Sequence, residues 1–334
     1  MTLQDHITRR FSEANRYQFG LLAILFVSLS TLPLWAPITG FGGLIYPLAL
    51  ANIWAIFAMG WDIISGYTGY ISFGHSALSG AAAYATAMLA THLELPLAAT
   101  FPLSVVAALI VGMLFALPSL RLRGPYFSLL TLVGALLFYR LLFVFNEYTG
   151  GELGMSVEAI TYDTTVLYYY TFVPMVFIAL GLLYVSRSNV GVVLVAIREN
   201  EPAVESAGID TTKFKLWAFT LSAVTMGVGG VMLAHFYGSV DPTTMVILDR
   251  SIEMIVMAVI GGMSSILGPI GGAYVFILLR DTILPGTLGL GGTQRWFALW
   301  AVALGLIVFA REGVFRKLWH GLGEQGSENE SETE

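Results

Sequence analysis

Cysteine is absent from the 334-residue chain, lysine occurs only three times, and charged residues of every kind make up 11%. Each shortage excludes something. Without cysteine there are no disulfides, thiolate metal sites or cysteine nucleophiles. The three lysines, Lys213, Lys215 and Lys317, are followed by Phe, Leu and Leu. None completes the Gly-Lys-Ser/Thr end of a phosphate-binding loop, so the chain is not itself a P-loop ATPase. The five histidines, His6, His75, His92, His235 and His320, have no metal-ligand spacing, and no Ser/His/Asp set is legible, which speaks against a membrane-embedded enzyme. A soluble domain carries about 25% charged residues. With 16 basic and 22 acidic side chains, a water-facing surface here would be largely apolar, so a soluble enzyme, a nucleic-acid binder and a disordered chain are all poor fits.

What the chain has instead is apolar length: 56% hydrophobic residues and a mean hydropathy of +0.76. A membrane-spanning helix takes about 20 apolar residues. Runs near 20–39, 41–61, 72–90, 97–118, 125–145, 166–186, 216–237 and 294–310 meet that description. The block 251–284 is too long for one helix and is interrupted by Gly261, Gly262, Gly268, Pro269, Gly271 and Gly272. Read as two short spans, it brings the total to about ten. The expected fold is an all-α, polytopic membrane bundle over 20–310. A short N-terminal segment, 1–19, precedes it, with an uncleaved first helix, and an acidic tail, 311–334, follows. The tail's Glu324, Glu328, Glu330, Glu332 and Glu334 lie among Gly, Ser, Asn and Thr, a composition that stays solvated and disordered.

Placing the N-terminus in the cytosol puts Arg9, Arg10, Arg16, Arg121, Arg123, Arg187, Arg198, Lys213, Lys215, Arg311, Arg316 and Lys317 on one side. That is the distribution the positive-inside rule expects, and an even span count returns the C-terminus to the same side. Arg140, Arg250, Arg280 and Arg295 lie in or beside spans. Glu147, Arg250 and Glu253 are expected as solvated charges on the outer rim, with ion pairs or contact with an external partner as the alternatives, and His235 and Tyr237 as interfacial residues.

Polar groups at membrane depth are costly and ask for a reason. Asp62, Ser72, His75 and Ser76 flank the glycine-rich stretch Gly69–Tyr84 (GYISFGHSALSGAAAY), which weakly echoes Gly261–Tyr274 (GGMSSILGPIGGAY). The echo is open to two readings: an inverted repeat with broken helices that build a pathway, or two helices that both need small residues for packing. Asn52, Asp62, Ser72, His75, Ser76, Tyr84, Gly261 and Gly262 form the candidate translocation path. The alternative places Asp62 in a solvated cytosolic turn after the 41–61 span and His75 in a packed, hydrogen-bonded interior. Asn52 is expected to bond to a neighbouring helix.

The one long cytosolic loop is 187–215. Within it Asn200 or Glu201 caps a short helix, Pro202–Ala207, with Pro202 in the first turn and Gly208 closing it. Ala203 and Ala207 share a face, with Glu201 and Glu205 at the rim. Six residues make a marginal helix in water, so it docks either on a partner or against the ends of its own spans.

That loop resembles the coupling segment of the ABC importer permeases, specifically the M-type branched-chain amino acid permeases. SGYTGYISFGHSALSGAAAY (65–84), LRLRGPYFSLLTL (120–132), TGG (149–151), AIRENEPAVESAGIDTTKFKLWAF (196–219) and VIGGMSSILGPIGGA (259–273) match the same family in the same order. The resemblance implies a cell-membrane subunit, with both termini cytosolic, that pairs with a second homologous permease. It also implies two ATP-binding subunits holding ATP and magnesium, and a soluble binding protein that delivers substrate from outside; this chain would bind no cofactor of its own. By the same resemblance Glu201, Pro202, Ala203, Glu205, Ala207 and Gly208 carry the ATPase coupling. Val204 departs from a common alanine, Asp62 from a frequent Asn and Tyr70 from a frequent Gln, and Glu152 and Met155 depart from the usual continuation. The substrate is therefore open between branched-chain amino acids and the urea or short amides the family also moves. An ion-driven secondary transporter is the alternative in another class.

Overall fold

The computed structural model describes residues 24–119, 122 and 124–309. The expected N-terminal segment, 1–19, the whole acidic tail, 311–334, and Arg121 and Arg123 lie outside the described residues. Within them almost everything is helix. The main elements are α1 (Ile45–Thr68), α2 (His75–Leu93), α3 (Leu97–Ser119), α4 (Pro125–Val144), α5 (Thr164–Arg187), α6 (Asn189–Ser206), α7 (Thr211–Tyr237), α8 (Leu248–Gly261), α9 (Leu267–Leu278) and α10 (Gly292–Phe309). A two-residue antiparallel pair, β1 (Met155–Ser156) with β2 (Ser239–Val240), ties two connections together.

Six helices among the described residues are long and apolar enough to cross a membrane: Gly42–Thr68, Leu97–Ser119, Pro125–Val144, Thr164–Arg187, Thr211–Tyr237 and Leu267–Gly286. α2, α8 and α10 are helical but lie outside that set. These fall short for separate reasons: α2 is rich in Ser, Thr and His, and α8 has only 14 residues. Contacts fix the alternation. Tyr46 at the start of α1 lies against Phe236 near the end of α7, with ring centroids 4.9 Å apart. Tyr70, just past the end of α1, meets Glu201 and Lys215 before and within the first turns of α7. The two helices are therefore antiparallel, and the bundle has a "kinked end", where α6 lies, and an opposite end, where β1 and β2 pair.

α1, α2 and α7 form the interior, and small residues let them approach. A Cβ on Gly230 would sit 2.2 Å from the Ser79 carbonyl oxygen, and one on Gly229 2.5 Å from the Phe57 ring. With no hydrophobic force between helices in lipid, such close van der Waals packing is what holds a bundle together. The outer helices α3, α4 and α5 instead present large apolar side chains outward, among them Leu103, Ile110, Leu114, Leu129, Val133, Phe177 and Tyr184.

The 251–284 block does split into two helices, as its glycines suggested. α8 ends at Gly261, the chain turns through Gly262–Ile266, and α9 returns beside α8. A Cβ on Gly261 would meet the Gly268 carbonyl oxygen at 1.9 Å, and one on Gly272 the Met257 carbonyl oxygen at 1.9 Å. Backbone lies directly against backbone at both places.

Two boundary expectations are corrected. The 41–61 span continues to Thr68, so Asp62 is inside a helix and fully buried, not in a solvated turn. The 187–215 region is not a loop carrying one short helix: Asn189–Glu199 is helical as well.

Candidate functional site

The kinked end gathers most of the residues singled out in the sequence. α6 is interrupted at Asn200, whose backbone is extended (φ −161°, ψ 86°). The break makes Asn200 the cap of a second, short helix: its Oδ1 accepts the Ala203 N–H at 3.1 Å. Pro202 falls in the first turn, where a missing N–H costs nothing. The helix closes with the Gly208 N–H on the Glu205 carbonyl at 2.9 Å and the Ile209 N–H on the Val204 carbonyl at 3.3 Å. Gly208 has φ +82°, the left-handed conformation that a C-terminal glycine accepts without strain.

The short helix has two faces. Pro202, Ala203, Glu205, Ser206, Ala207 and Gly208 are exposed, whereas Val204 is buried against the protein's own core. Glu201 corrects an expectation, because it is not on the outer rim. Its carboxylate turns inward, 10% exposed, and pairs with Lys215 Nζ at 2.7 Å. The Tyr70 hydroxyl donates to its other oxygen. Thr211 Oγ1 lies 3.1 Å from the carboxylates of both Glu201 and Glu205. Lys215 Nζ is also 3.3 Å from the Tyr70 oxygen and 4.7 Å from the centre of its ring. Burial works against the Glu201 charge, but the hydrogen bonds from Lys215, Tyr70 and Thr211 outweigh it and hold its pKa below the usual carboxylate value. The Glu201 carboxylate is therefore ionised at neutral pH.

One turn earlier, Arg198 Nη1 donates to the Gly66 carbonyl at 3.1 Å and to the Ser264 hydroxyl. Ser264 sits in the turn between α8 and α9, and its hydroxyl also donates to the Gly66 carbonyl at 2.7 Å. Its N–H and that of Ser265 bind the two oxygens of Asp62, at 2.8 and 3.2 Å. Gly66 makes this possible, since a Cβ there would overlap Asp62 Oδ1 at 1.9 Å. Asp62 is thus the acceptor that holds the second glycine break against the end of α1.

The other candidate path residues lie deeper and are packed inside this chain. His75 Nε2 is 2.8 Å from Ser222 Oγ, whose hydroxyl donates to the Gly60 carbonyl at 2.6 Å. The Ser72 carbonyl accepts the Trp61 indole N–H at 2.8 Å, and the Ser76 N–H binds Ser251 Oγ at 3.0 Å. Asn52 donates to Thr171 at 3.1 Å and accepts from the Tyr274 hydroxyl, joining α1 to α5 and α9. Tyr84 is buried in α2, and Gly261 and Gly262 form the α8 end of the second break. Asn52, Asp62, Ser72, His75 and Ser76 are all buried.

At the opposite end a charged cluster replaces the solvated rim expected of Arg250 and Glu253. Glu253, 1% exposed, lies 3.0 Å from Arg250 and 3.6 Å from Arg280; Arg280 also pairs with Asp281 at 2.8 Å. The Trp54 ring lies near both arginines, its centre 5.5 and 5.7 Å from their guanidinium carbons. Buried charges persist when paired in this way. His235 is likewise buried, with Nδ1 2.8 Å from the Glu158 carbonyl.

Residues 43–310 match the family described as the branched-chain amino acid transport system permease component. The chain belongs to this permease family. The high-affinity branched-chain amino acid transport system permease protein LivM of Salmonella typhimurium is 27% identical over 311 residues, covering 83% of this chain and 72% of the relative. The Escherichia coli protein of the same name gives the same figures. The permease protein BraD of Pseudomonas aeruginosa is 24% identical over 258 residues, covering 70% of this chain and 82% of its own length. The chain is accordingly an integral membrane permease, one component of a transport system, related to transport subunits and not to enzymes.

Proposed function

We propose that this permease is the transmembrane subunit of an ATP-driven importer of branched-chain amino acids. In this reading it pairs with a second homologous permease, receives substrate from a soluble binding protein outside, and takes its energy from two ATP-binding subunits inside. The observation that carries the reading is the capped helix at the kinked end. It exposes Pro202, Ala203, Glu205, Ser206, Ala207 and Gly208, a surface of mostly small residues that a groove on another protein can receive closely, while Val204 and Glu201 anchor it to the bundle from behind. Arg187, Arg198, Lys213 and Lys215 all belong to this end, which favours a cytosolic position.

Uptake of radiolabelled leucine by cells expressing the complete transport system tests the reading. Uptake is expected to persist when an uncoupler removes ion gradients while cellular ATP is maintained, and to be competed by valine and isoleucine. Collapse of uptake under the uncoupler would point to an ion-driven transporter, and competition by urea or acetamide in place of valine would change the substrate.

A further inference from the structure

The coupling segment is tied to both glycine breaks, and by separate contacts. From Glu201 the path runs to Tyr70, which lies in the non-helical stretch between α1 and α2. From Arg198 it runs to Ser264 in the turn between α8 and α9, and to the Gly66 carbonyl at the end of α1. Arg198 and Glu201 stand on either side of the Asn200 interruption in α6. Neither contact crosses the exposed Pro202–Gly208 face. The Arg198 stem also covers Gly69, its Cγ lying 2.9 Å from where a Cβ would stand.

The geometry points to Arg198 and Tyr70 as positioning residues that transmit movement of the coupling segment to the two breaks, acting as two polar struts. This rests on the docking role assigned above. An energised partner that shifts Pro202–Gly208 would pull Tyr70 through Glu201 and the α8–α9 turn through Arg198. α2 begins at His75, level with Gly60 in the middle of α1, and α8 and α9 share a backbone contact, so a pull on either break reaches helix ends deep in the bundle. Coupling needs a contiguous physical connection of this kind between two sites. Two struts in place of one make the breaks respond together.

The test uses the complete transporter, purified through a tag on this chain and reconstituted with its binding protein. Leucine taken up and ATP hydrolysed are measured in the same vesicles. Arg198→Met keeps the stem over Gly69 and removes the guanidinium; Tyr70→Phe keeps the ring and removes the hydroxyl. Each is expected to lower leucine transported per ATP by about threefold, and the double variant by about tenfold, with ATP-binding subunits retained in wild-type amounts. Ser264→Gly checks the Arg198 strut from its other end. Ser264 has φ +60°, so glycine fits its backbone, and this variant should match Arg198→Met even if that protein proves poorly produced. Uptake and hydrolysis falling in parallel, with an unchanged ratio, would overturn the proposal, as would a double variant that transports normally. Loss of the ATP-binding subunits from Arg198→Met or Tyr70→Phe would also overturn it, because the struts would then be part of the dock. A wild-type assembly that moves leucine without consuming ATP would instead sink the importer reading itself.

Discussion

Glu201→Lys is expected to reduce uptake by about a hundredfold and to loosen the coupling segment from the bundle. The new lysine puts a second cation beside Lys215, whose side chain is 4% exposed and loses its carboxylate partner at 2.7 Å. Removing one member of a buried pair typically costs about 3–5 kcal/mol, because the remaining charge is left in a poor environment. The lower figure already corresponds to about a hundredfold change in an equilibrium. Tyr70 loses its acceptor in the same step. Lys215→Glu alone should do comparable harm. The double exchange, Glu201→Lys with Lys215→Glu, should recover much of the loss, since the Tyr70 hydroxyl lies within reach of both positions. Leucine uptake together with limited proteolysis at 200–210 measures both effects. A single reversal with normal uptake would mean the pair holds nothing in place.

The second large effect is expected from a single methyl group. Gly272→Ala places a Cβ 1.9 Å from the Met257 carbonyl oxygen, and the neighbour is backbone in a helix, with no rotamer to move aside. α8 and α9 must separate or the change is not accommodated, at a cost of about 3 kcal/mol or more, the upper range for overpacking. Gly181→Ala in α5 is the matched control: nothing lies within 4 Å of its added Cβ. There the helical preference of alanine over glycine, about 1 kcal/mol, is the only term. Thermal unfolding of the detergent-solubilised protein should show a marked drop for Gly272→Ala and none for Gly181→Ala.

These residues also show what the sequence could and could not reveal. The short helix at 201–206 was legible because its signals are local: a capping Asn200, Pro202 in the first turn and Gly208 just past the end. The preceding helix, Asn189–Glu199, was missed because its run NVGVVLV is β-branched and glycine-containing, and so reads as a poor helix former. Tertiary packing decides there, with Gly191 closing against the Ser186 carbonyl, where a Cβ would stand 2.1 Å away. The glycine interruption of 251–284 announced two helices but not their backbone contact. Asp62 was misplaced because its partners, Ser264 and Ser265, are about 200 positions away in the chain, and a helix buried on every side has no polar stripe to mark where it continues. The inward turn of Glu201 was hidden for a related reason: i, i+4 spacing relates Glu201 to Glu205, whereas the deciding groups, Tyr70 and Lys215, come from other elements. The membrane-spanning, all-helical class followed from composition; the links between the helices did not.

The absence of native cysteine permits a direct measurement of the central claim, that the exposed face of the short helix meets the ATP-binding subunits in the cytosol. Ala207→Cys would introduce the only thiol in this chain, on the exposed face; Val204→Cys would place one on the buried face as a control. In sealed cells carrying the full transporter, a membrane-permeant thiol cross-linker should join Ala207→Cys to an ATP-binding subunit and leave Val204→Cys unlinked, and an impermeant maleimide added outside should label neither. Labelling of Ala207→Cys from outside the cell, or cross-linking of Val204→Cys in its place, would contradict the account.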